Sequence, residues 1–330
     1  MTAPFRIRAG EIEFPCNGDE TVLDAAERAG YALPYSCRKG VCSTCEARLV
    51  EGSADCGADH HTGPQEGLRL CRAIPASDLV IAPSRIEKRE LFPRKRLAAR
   101  VFKLARPTPD VALIHLRFAA GSRIRFRAGQ YLRVLFEDGG SRSFSMANPP
   151  HENDGVHLHI GRVPGGRFSD QVLASLQVGD WLEVEAPFGD FFLREDVDGP
   201  IAFLATGTGF APVKAMIDDM IKRSRARPAR LYWGVRHTSD FYMPEIFEKW
   251  RRMAPWLECV PVLSRPDGDW SGRRGFVQDA LLEDCSDLSN WQVYACGNPA
   301  MVAASKRDLT GRAGLPAPQF HADPFVPSGD

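Results

Sequence analysis

No excess of charge of either sign marks this chain: its 330 residues carry 42 Lys and Arg against 42 Asp and Glu. That balance excludes a protein whose main task is coating nucleic acid or an anionic membrane, since both need a standing positive field. No apolar run approaches the ~20 residues of a membrane-spanning helix. The uncharged, apolar-leaning run between Asp198 and Lys214 is broken by Gly and Pro. Residues Met1 to Phe14 carry Arg6, Arg8, Glu11 and Glu13 and lack the apolar centre of a secretory signal. There is no internal repeat and no low-complexity tract. The composition, 44% hydrophobic and 25% charged, excludes wholesale disorder and fits a soluble globular protein, expected to be cytoplasmic.

Three segments are expected within this length. Residues 1–87 hold nine basic and thirteen acidic side chains. Residues 88–106 reverse this, with Lys88, Arg89, Arg94, Lys95, Arg96, Arg100, Lys103 and Arg106 against Glu90 alone. With Pro93 inside it, this run reads as a linker entering a new domain, either a solvated connector or a dock for an acidic partner. Segment 1–88 has short alternating strands around a helix that Thr21 caps and Gly30 stops, an α+β unit. After a linker at 89–95, segment 96–197 is strand-rich with regular turn signals, which suggests an antiparallel barrel. Segment 198–330 alternates strand and helix, the rhythm of a parallel, doubly wound α/β sheet.

The strongest local signal is a cysteine pattern. Of nine cysteines, Cys37, Cys42 and Cys45 form C-x4-C-x2-C, with Cys71 further along. In a reducing compartment such spacing means metal or catalysis before disulfides. It is the plant-type spacing for four thiolates around a 2Fe–2S cluster. Gly40 and the small Ser36, Ser43 and Thr44 let the backbone approach a sulfide core. Structural zinc is the alternative, but it usually pairs two C-x2-C knuckles, and only Cys42 and Cys45 have that spacing. A Rieske centre needs two His ligands; His60 and His61 lack the spacing and read as a solvated loop pair. Cys16, Cys56, Cys259 and Cys285 read as packing residues.

Leu33–Cys45, "LPYSCRKGVCSTC", followed by Cys71, resembles the plant-type ferredoxin domain, a β-grasp fold. "SRSFSMANPP" (Ser141–Pro150) resembles the R-x-[YF]-S signature of the ferredoxin–NADP reductase superfamily, whose barrel binds FAD. The resemblance implies that Arg142 contacts the pyrophosphate, for which a guanidinium fork is suited. It implies that Ser143 and Phe144 line the site, Phe144 stacking on the flavin or its ribose where the family more often has Tyr. Ser145 is then the catalytic hydrogen-bond partner near the reactive flavin nitrogen. In "HIGRVPGGRFS" (His159–Ser169), Gly165, Gly166 and Ser169 form either an anion nest or a plain helix cap. The family places its second pyrophosphate contact here, which implicates Ile160, Arg162, Gly165, Gly166, Arg167, Phe168 and Ser169. "APFGDFF" (Ala186–Phe192) resembles the family's Gly-Pro-x-Gly turn, with Ala186 in place of the first Gly.

"IAFLATGTGFAPVKAM" (Ile201–Met216) reads as strand, Gly turn and helix, with Gly207 and Gly209 permitting close phosphate approach. It lacks G-x-G-x-x-G but resembles the superfamily's GGTG-x-AP, so Thr206, Gly207, Thr208 and Gly209 are implied nucleotide contacts. Thr206 replaces the first Gly, which leaves its backbone conformation open. "YACGNP" (Tyr294–Pro299) resembles the CG-x-P strand end that places a cysteine beside the nicotinamide. Cys296, with Gly297, is either that residue or a buried structural thiol. In "YWGVRHTSDFY" (Tyr232–Tyr242), Arg236 either meets a 2′-phosphate or lines the pocket. No further basic cluster follows, which points to NADH, with NADPH as the alternative. Phe325 in "FHADPF" (Phe320–Phe325) either covers the flavin or packs in the core.

In this order the segments resemble the single-chain reductases of bacterial aromatic-ring-hydroxylating dioxygenases, the terephthalate type most closely. The resemblance implies hydride transfer from NADH to FAD and single-electron exit through a 2Fe–2S cluster. The recipient would be an oxygenase component or a small ferredoxin. The same relay serving a di-iron hydroxylase or a deoxysugar-forming dehydratase is an alternative, and a flavin and iron–sulfur redox sensor is a more distant one.

Overall fold

Phe5–Ala9 and Ile12–Cys16 alternate, turning Ile7, Ala9, Phe14 and Cys16 inward. They pair antiparallel across Gly10, whose φ of +61° suits glycine. This hairpin opens a computed structural model that describes residues 3–326; the outermost residues of the first and last expected segments lie outside the described residues. The chain divides into two units, Met1–Phe92 and Pro93–Asp330.

In the first unit a five-stranded mixed sheet runs in the order Ile12–Cys16, Phe5–Ala9, Leu79–Pro83, Glu46–Glu51, Gln65–Arg69. The helix Val22–Arg28 buries Val22, Leu23, Ala25 and Ala26. Its cap is the expected one: the Thr21 hydroxyl accepts from Asp24 N at 3.2 Å, and Gly30 turns the chain away at φ +81°. His60 and His61 lie on a short strand, Asp59–Thr62, rather than in a loop. That strand is paired with Ser53–Cys56, and His60 Nδ1 is 2.7 Å from Asp55.

In the second unit six antiparallel strands form the barrel. Their order is Ser141–Ser145, Tyr131–Leu135, Trp181–Phe188, Lys95–Thr108, Val111–Phe118, Gly155–Gly161. A bridge from Met146 to Leu158 brings the first strand to the last. Val101, Ile114, Leu132, Leu158 and Val184 fill the interior.

The remaining residues build a parallel sheet ordered Arg273–Arg274, Leu257–Leu263, Ala229–Val235, Ile201–Thr206, Gln292–Gly297, Phe320–Pro324. The chain steps outward from Ile201–Thr206 in one direction and returns to its other side with Gln292–Gly297. The switch point between these two strands opens a crevice at their carboxyl ends, where open α/β sheets bind ligands. The helix expected after the Gly turn spans Phe210–Lys222 and starts directly after Gly209, because the Gly207–Gly209 turn feeds straight into it.

Barrel and sheet share one core. Ala128 and Phe191 from the barrel side pack with Phe203, Phe210 and Trp233 of the sheet side. Phe210 stacks on Trp233 at 3.9 Å between ring centres and 8° between planes. A Phe210→Ala substitution empties this position and is expected to lower the stability of the second unit by about 3–5 kcal/mol, read from urea unfolding followed by tryptophan fluorescence.

Candidate functional site

The cysteine loop of the first unit is wound by left-handed residues. Arg38, Gly40 and Ser43 have φ of +54°, +75° and +56°. At Gly40 a Cβ would lie 2.8 Å from Arg72 Cγ, so the backbone passes too close for a side chain. The winding turns N–H groups inward: those of Lys39, Val41 and Cys42 point at the Cys37 sulfur, and that of Gly40 at Cys71.

The four thiols interact chiefly as two pairs, Cys37 with Cys42 and Cys45 with Cys71. Among the described residues no three His, Cys, Asp or Glu side chains converge as they would on a single ion. Two pairs suit a two-iron centre with two thiolates per iron. The Cys42 thiol, followed by the three N–H groups, draws Cys37 down to about 5, and Cys71 is lowered chiefly by Cys45. The same contacts push the partners Cys42 and Cys45 upward, so all four would become thiolates only on binding metal, with release of protons. Val41 at the loop tip is 54% exposed, which leaves this edge open to solvent.

In the barrel, Arg142 and Arg167 both lie over the Phe136 ring, at 5.8 and 4.0 Å. Phe144 is half-buried, its ring 4.9 Å from Phe168, and Ser145 is buried while Ser143 is exposed. The side chains of Ile160 and Phe168 are in the barrel core, so only their backbone groups are available to a ligand. Ser169 Oγ accepts from Val163 N at 3.0 Å. Gly165 N–H and Arg162 Nε donate to the Asp170 carboxylate at 3.0 and 2.9 Å and hold it below the usual carboxylate range. The Gly165 N–H and the Arg162 guanidinium are thus both engaged by the chain's own Asp170 carboxylate. Asp170 was not singled out from sequence; an acid one residue after the expected cap was the available signal.

At the switch-point crevice the expected nucleotide residues meet. Thr206 is extended (φ −124°, ψ 133°), so no glycine is needed there. Its hydroxyl accepts from Asn298 N at 2.9 Å. Gly297, at φ +121°, has no room for a Cβ, which would lie 2.4 Å from Thr206 Oγ1 and 2.6 Å from its carbonyl oxygen. A Cβ at Gly209 would fall 2.3 Å from the Cys296 carbonyl oxygen. The glycine turn therefore rests backbone-to-backbone on the strand end that carries Cys296. Thr208 borders the barrel, where a Cβ on Gly161 would be 3.3 Å from its hydroxyl.

Phe325 donates its N–H to Gly297 O at 2.7 Å and packs half-buried against the shared core. Arg236 lies outside this group, exposed at the next strand end, where its carbonyl accepts from Arg265 N at 2.9 Å. Burial, then the nearby Asp323 carboxylate, pushes the Cys296 thiol well above its usual range, so it stays a neutral thiol. A separate groove of about 650 Å³ lies at the opposite strand ends, between Pro228, Trp256 and Trp291, away from this chemistry.

Three family patterns match in the same order as these sites. The 2Fe–2S iron–sulfur cluster binding domain matches residues 5–76, the oxidoreductase FAD-binding domain 99–193 and the oxidoreductase NAD-binding domain 203–307. The chain is 41% identical to the terephthalate 1,2-dioxygenase reductase component 2 of Comamonas sp., over 99% of this chain and 98% of that protein. The chain belongs to the iron–sulfur flavoprotein reductases.

The reductase is also 34% identical to the CDP-6-deoxy-L-threo-D-glycero-4-hexulose-3-dehydrase reductase of Yersinia pseudotuberculosis, over 99% of this chain and 100% of that one. The crystal structure of the Amycolatopsis cytochrome P450 reductase GcoB superposes with a TM-score of 0.80 at 30% identity, covering 98% and 99% of the two chains. The reductase is an electron-transfer oxidoreductase whose cofactors are a 2Fe–2S cluster, FAD and NAD(H).

Two residues of the nucleotide crevice escaped the sequence reading. Asp323 is buried with its carboxylate 4.0 Å from Cys296 Sγ. Its signal was the "FHADPF" tail, of which only the final Phe drew notice. Lys214 donates to Asp218 at 2.8 Å and to Ala147 O at 3.2 Å, tying the nucleotide helix to the chain just after the flavin signature. Gly209→Ala is expected to displace the Cys296–Gly297 strand end and raise the KM for NADH at least tenfold in ferricyanide reduction, with bound flavin absorbance retained.

Proposed function

We propose that this reductase is the electron-supplying component of an aromatic-ring-hydroxylating dioxygenase system, working from the cytoplasm with an oxygenase component or a small ferredoxin as its acceptor. The full-length 41% identity to a terephthalate dioxygenase reductase component carries the reading. Four cysteines with cluster spacing rather than a disulfide framework suit a reducing compartment, and among the described residues no helix is long and apolar enough to cross a membrane. A dehydratase acceptor is the second reading, favoured by the 34% identity to the hexulose dehydrase reductase.

In this reading Cys37 and Cys42 hold one iron and Cys45 and Cys71 the other. Arg142, Ser143, Phe144 and Ser145 take the flavin side of the barrel, while Arg162, Gly165, Gly166, Arg167 and Ser169 meet the pyrophosphate with side-chain and backbone donors. The Ile160 and Phe168 side chains shape the barrel from inside. Thr206, Gly207, Thr208 and Gly209 receive the nucleotide phosphates, and Cys296, Gly297 and Phe325 border the nicotinamide. The chemistry supplied by bound FAD is conversion between paired and single electrons, and that supplied by the 2Fe–2S cluster is one-electron exchange. The protein's own part is placement. Ser145 offers a buried hydroxyl, and Cys296 a neutral, uncharged surface that neither attacks nor titrates near neutral pH.

NADH is the proposed donor. Arg236 and Arg265, at neighbouring strand ends, are the cations that would meet a 2′-phosphate, so NADPH is accepted as well. Arg236→Ala is expected to lower kcat/KM for NADPH several-fold more than for NADH; equal loss with both would exclude Arg236 from recognition of a 2′-phosphate. Cys42→Ser is expected to abolish electron delivery to the oxygenase partner while most NADH–ferricyanide activity remains. Parallel loss of the two activities would count against a relay with separate stations.

A further inference from the structure

Arg38 follows Cys37 directly, yet its side chain is only 9% exposed. The helix Val22–Arg28 meets it with two carboxylates one turn apart. Arg38 Nη1 donates to Asp24 Oδ1 at 2.5 Å and Nη2 to Glu27. Asp24 is itself held by the Thr21 hydroxyl at 2.6 Å. The guanidinium carbon lies 4.6 Å from the centre of the Tyr35 ring. At φ +54° the Arg38 backbone is in a region that costs a non-glycine residue and persists only where the surroundings fix it. Lys39, Arg69 and Arg72 are cations of the same neighbourhood, but all three are exposed and open to screening.

A left-handed turn alone would be served by glycine, as it is at Gly40. Burying a guanidinium between two acids costs desolvation, so its use implies a need for charge at that place. Arg38 is peptide-bonded directly to Cys37, so the clamp fixes the guanidinium charge within one side chain's length of that ligand.

We propose that Arg38 is a positioning residue that sets the reduction potential of the cluster in the Cys37–Cys71 loop, and that Asp24 and Glu27 both hold it and partly offset its charge. This rests on the four cysteines being the cluster ligands. The step concerned moves one electron from reduced flavin, which is oxidised, to the cluster, which is reduced. One negative charge is added at the sulfurs and no proton need move. Arg38 favours that added charge, and Asp24 and Glu27 oppose it. The two sides of the clamp therefore act with opposite sign.

The test uses the full chain reconstituted anaerobically with iron, sulfide and FAD. Iron and sulfide per chain and the cluster midpoint are measured by spectroelectrochemical titration for the native protein, Arg38→Gln, Arg38→Lys, Glu27→Gln and Asp24→Asn. Arg38→Gln is expected to make the cluster at least threefold harder to reduce against a fixed mediator. Glu27→Gln and Asp24→Asn are expected to make it at least threefold easier; a tenfold change would read as about 59 mV for one electron. Arg38→Lys should stay within threefold of the native protein, since it keeps the charge. Shifts of one sign in both classes of variant, or none in either, overturn the proposal, because a purely structural clamp loses iron without reversing the potential. If Arg38→Gln fails to hold iron, the acid variants decide: a rise supports the proposal and an unchanged midpoint overturns it. A native protein that takes up no iron removes the ligand assignment itself, and the proposal with it.

Discussion

In the proposed reading, negative charge met by backbone N–H groups is the interaction on which the cofactor chemistry of this chain depends. Sulfide-bridged iron and pyrophosphate are both anionic, and both need donors that are already turned toward them. The backbone does this at helix N-termini and, within loops, where it leaves the right-handed and extended regions. The cysteine loop does so at Arg38, Gly40 and Ser43, the barrel turn at Gly165, and the nucleotide loop at Gly207 with φ +52°. Glycine makes such turns cheaply. Where a larger residue takes the position, as at Arg38, side-chain contacts hold it there.

What could be read from sequence follows from how local each constraint is. The C-x4-C-x2-C run is one loop, so Cys37, Cys42 and Cys45 are neighbours by chain length alone, whereas Cys71 is brought to them from 26 positions beyond Cys45. The Thr21 cap and the Gly207–Gly209 turn are equally local and hold. The resemblance to known reductases extended that reach to the flavin and nucleotide segments and named their residues. Side chains whose partners come from far along the chain stayed hidden. Asp323 meets Cys296 only because Phe320–Pro324 adds a last parallel strand beside Gln292–Gly297. Lys214 matters only because its helix packs under the end of the flavin strand. The polar strands Asp59–Thr62 and Ser141–Ser145 carry little of the buried alternation that marks a strand, so pattern alone passes over them.

The departure at Thr206 shows how a motif can change while its geometry survives. The first glycine of the superfamily pattern is replaced, yet Thr206 sits in ordinary extended backbone and its hydroxyl takes the Asn298 N–H. The close approach that the motif requires is met at Gly209 and Gly297, where backbone faces backbone. The resemblance therefore carries over by contact rather than by letter.

Barrel and nucleotide sheet interlock. The Tyr242 hydroxyl lies 3.0 Å from His159 Nδ1 across that boundary, both groups buried, and a Cβ on Gly129 of the barrel side would strike Met216 of the nucleotide helix at 2.3 Å. This bears on engineering. A chimera that grafts the sheet of another reductase onto this barrel, to change its electron donor, inherits mismatched side chains at Gly129, His159 and Phe191. The exchangeable cassette is the pair taken together, from Pro93 onward.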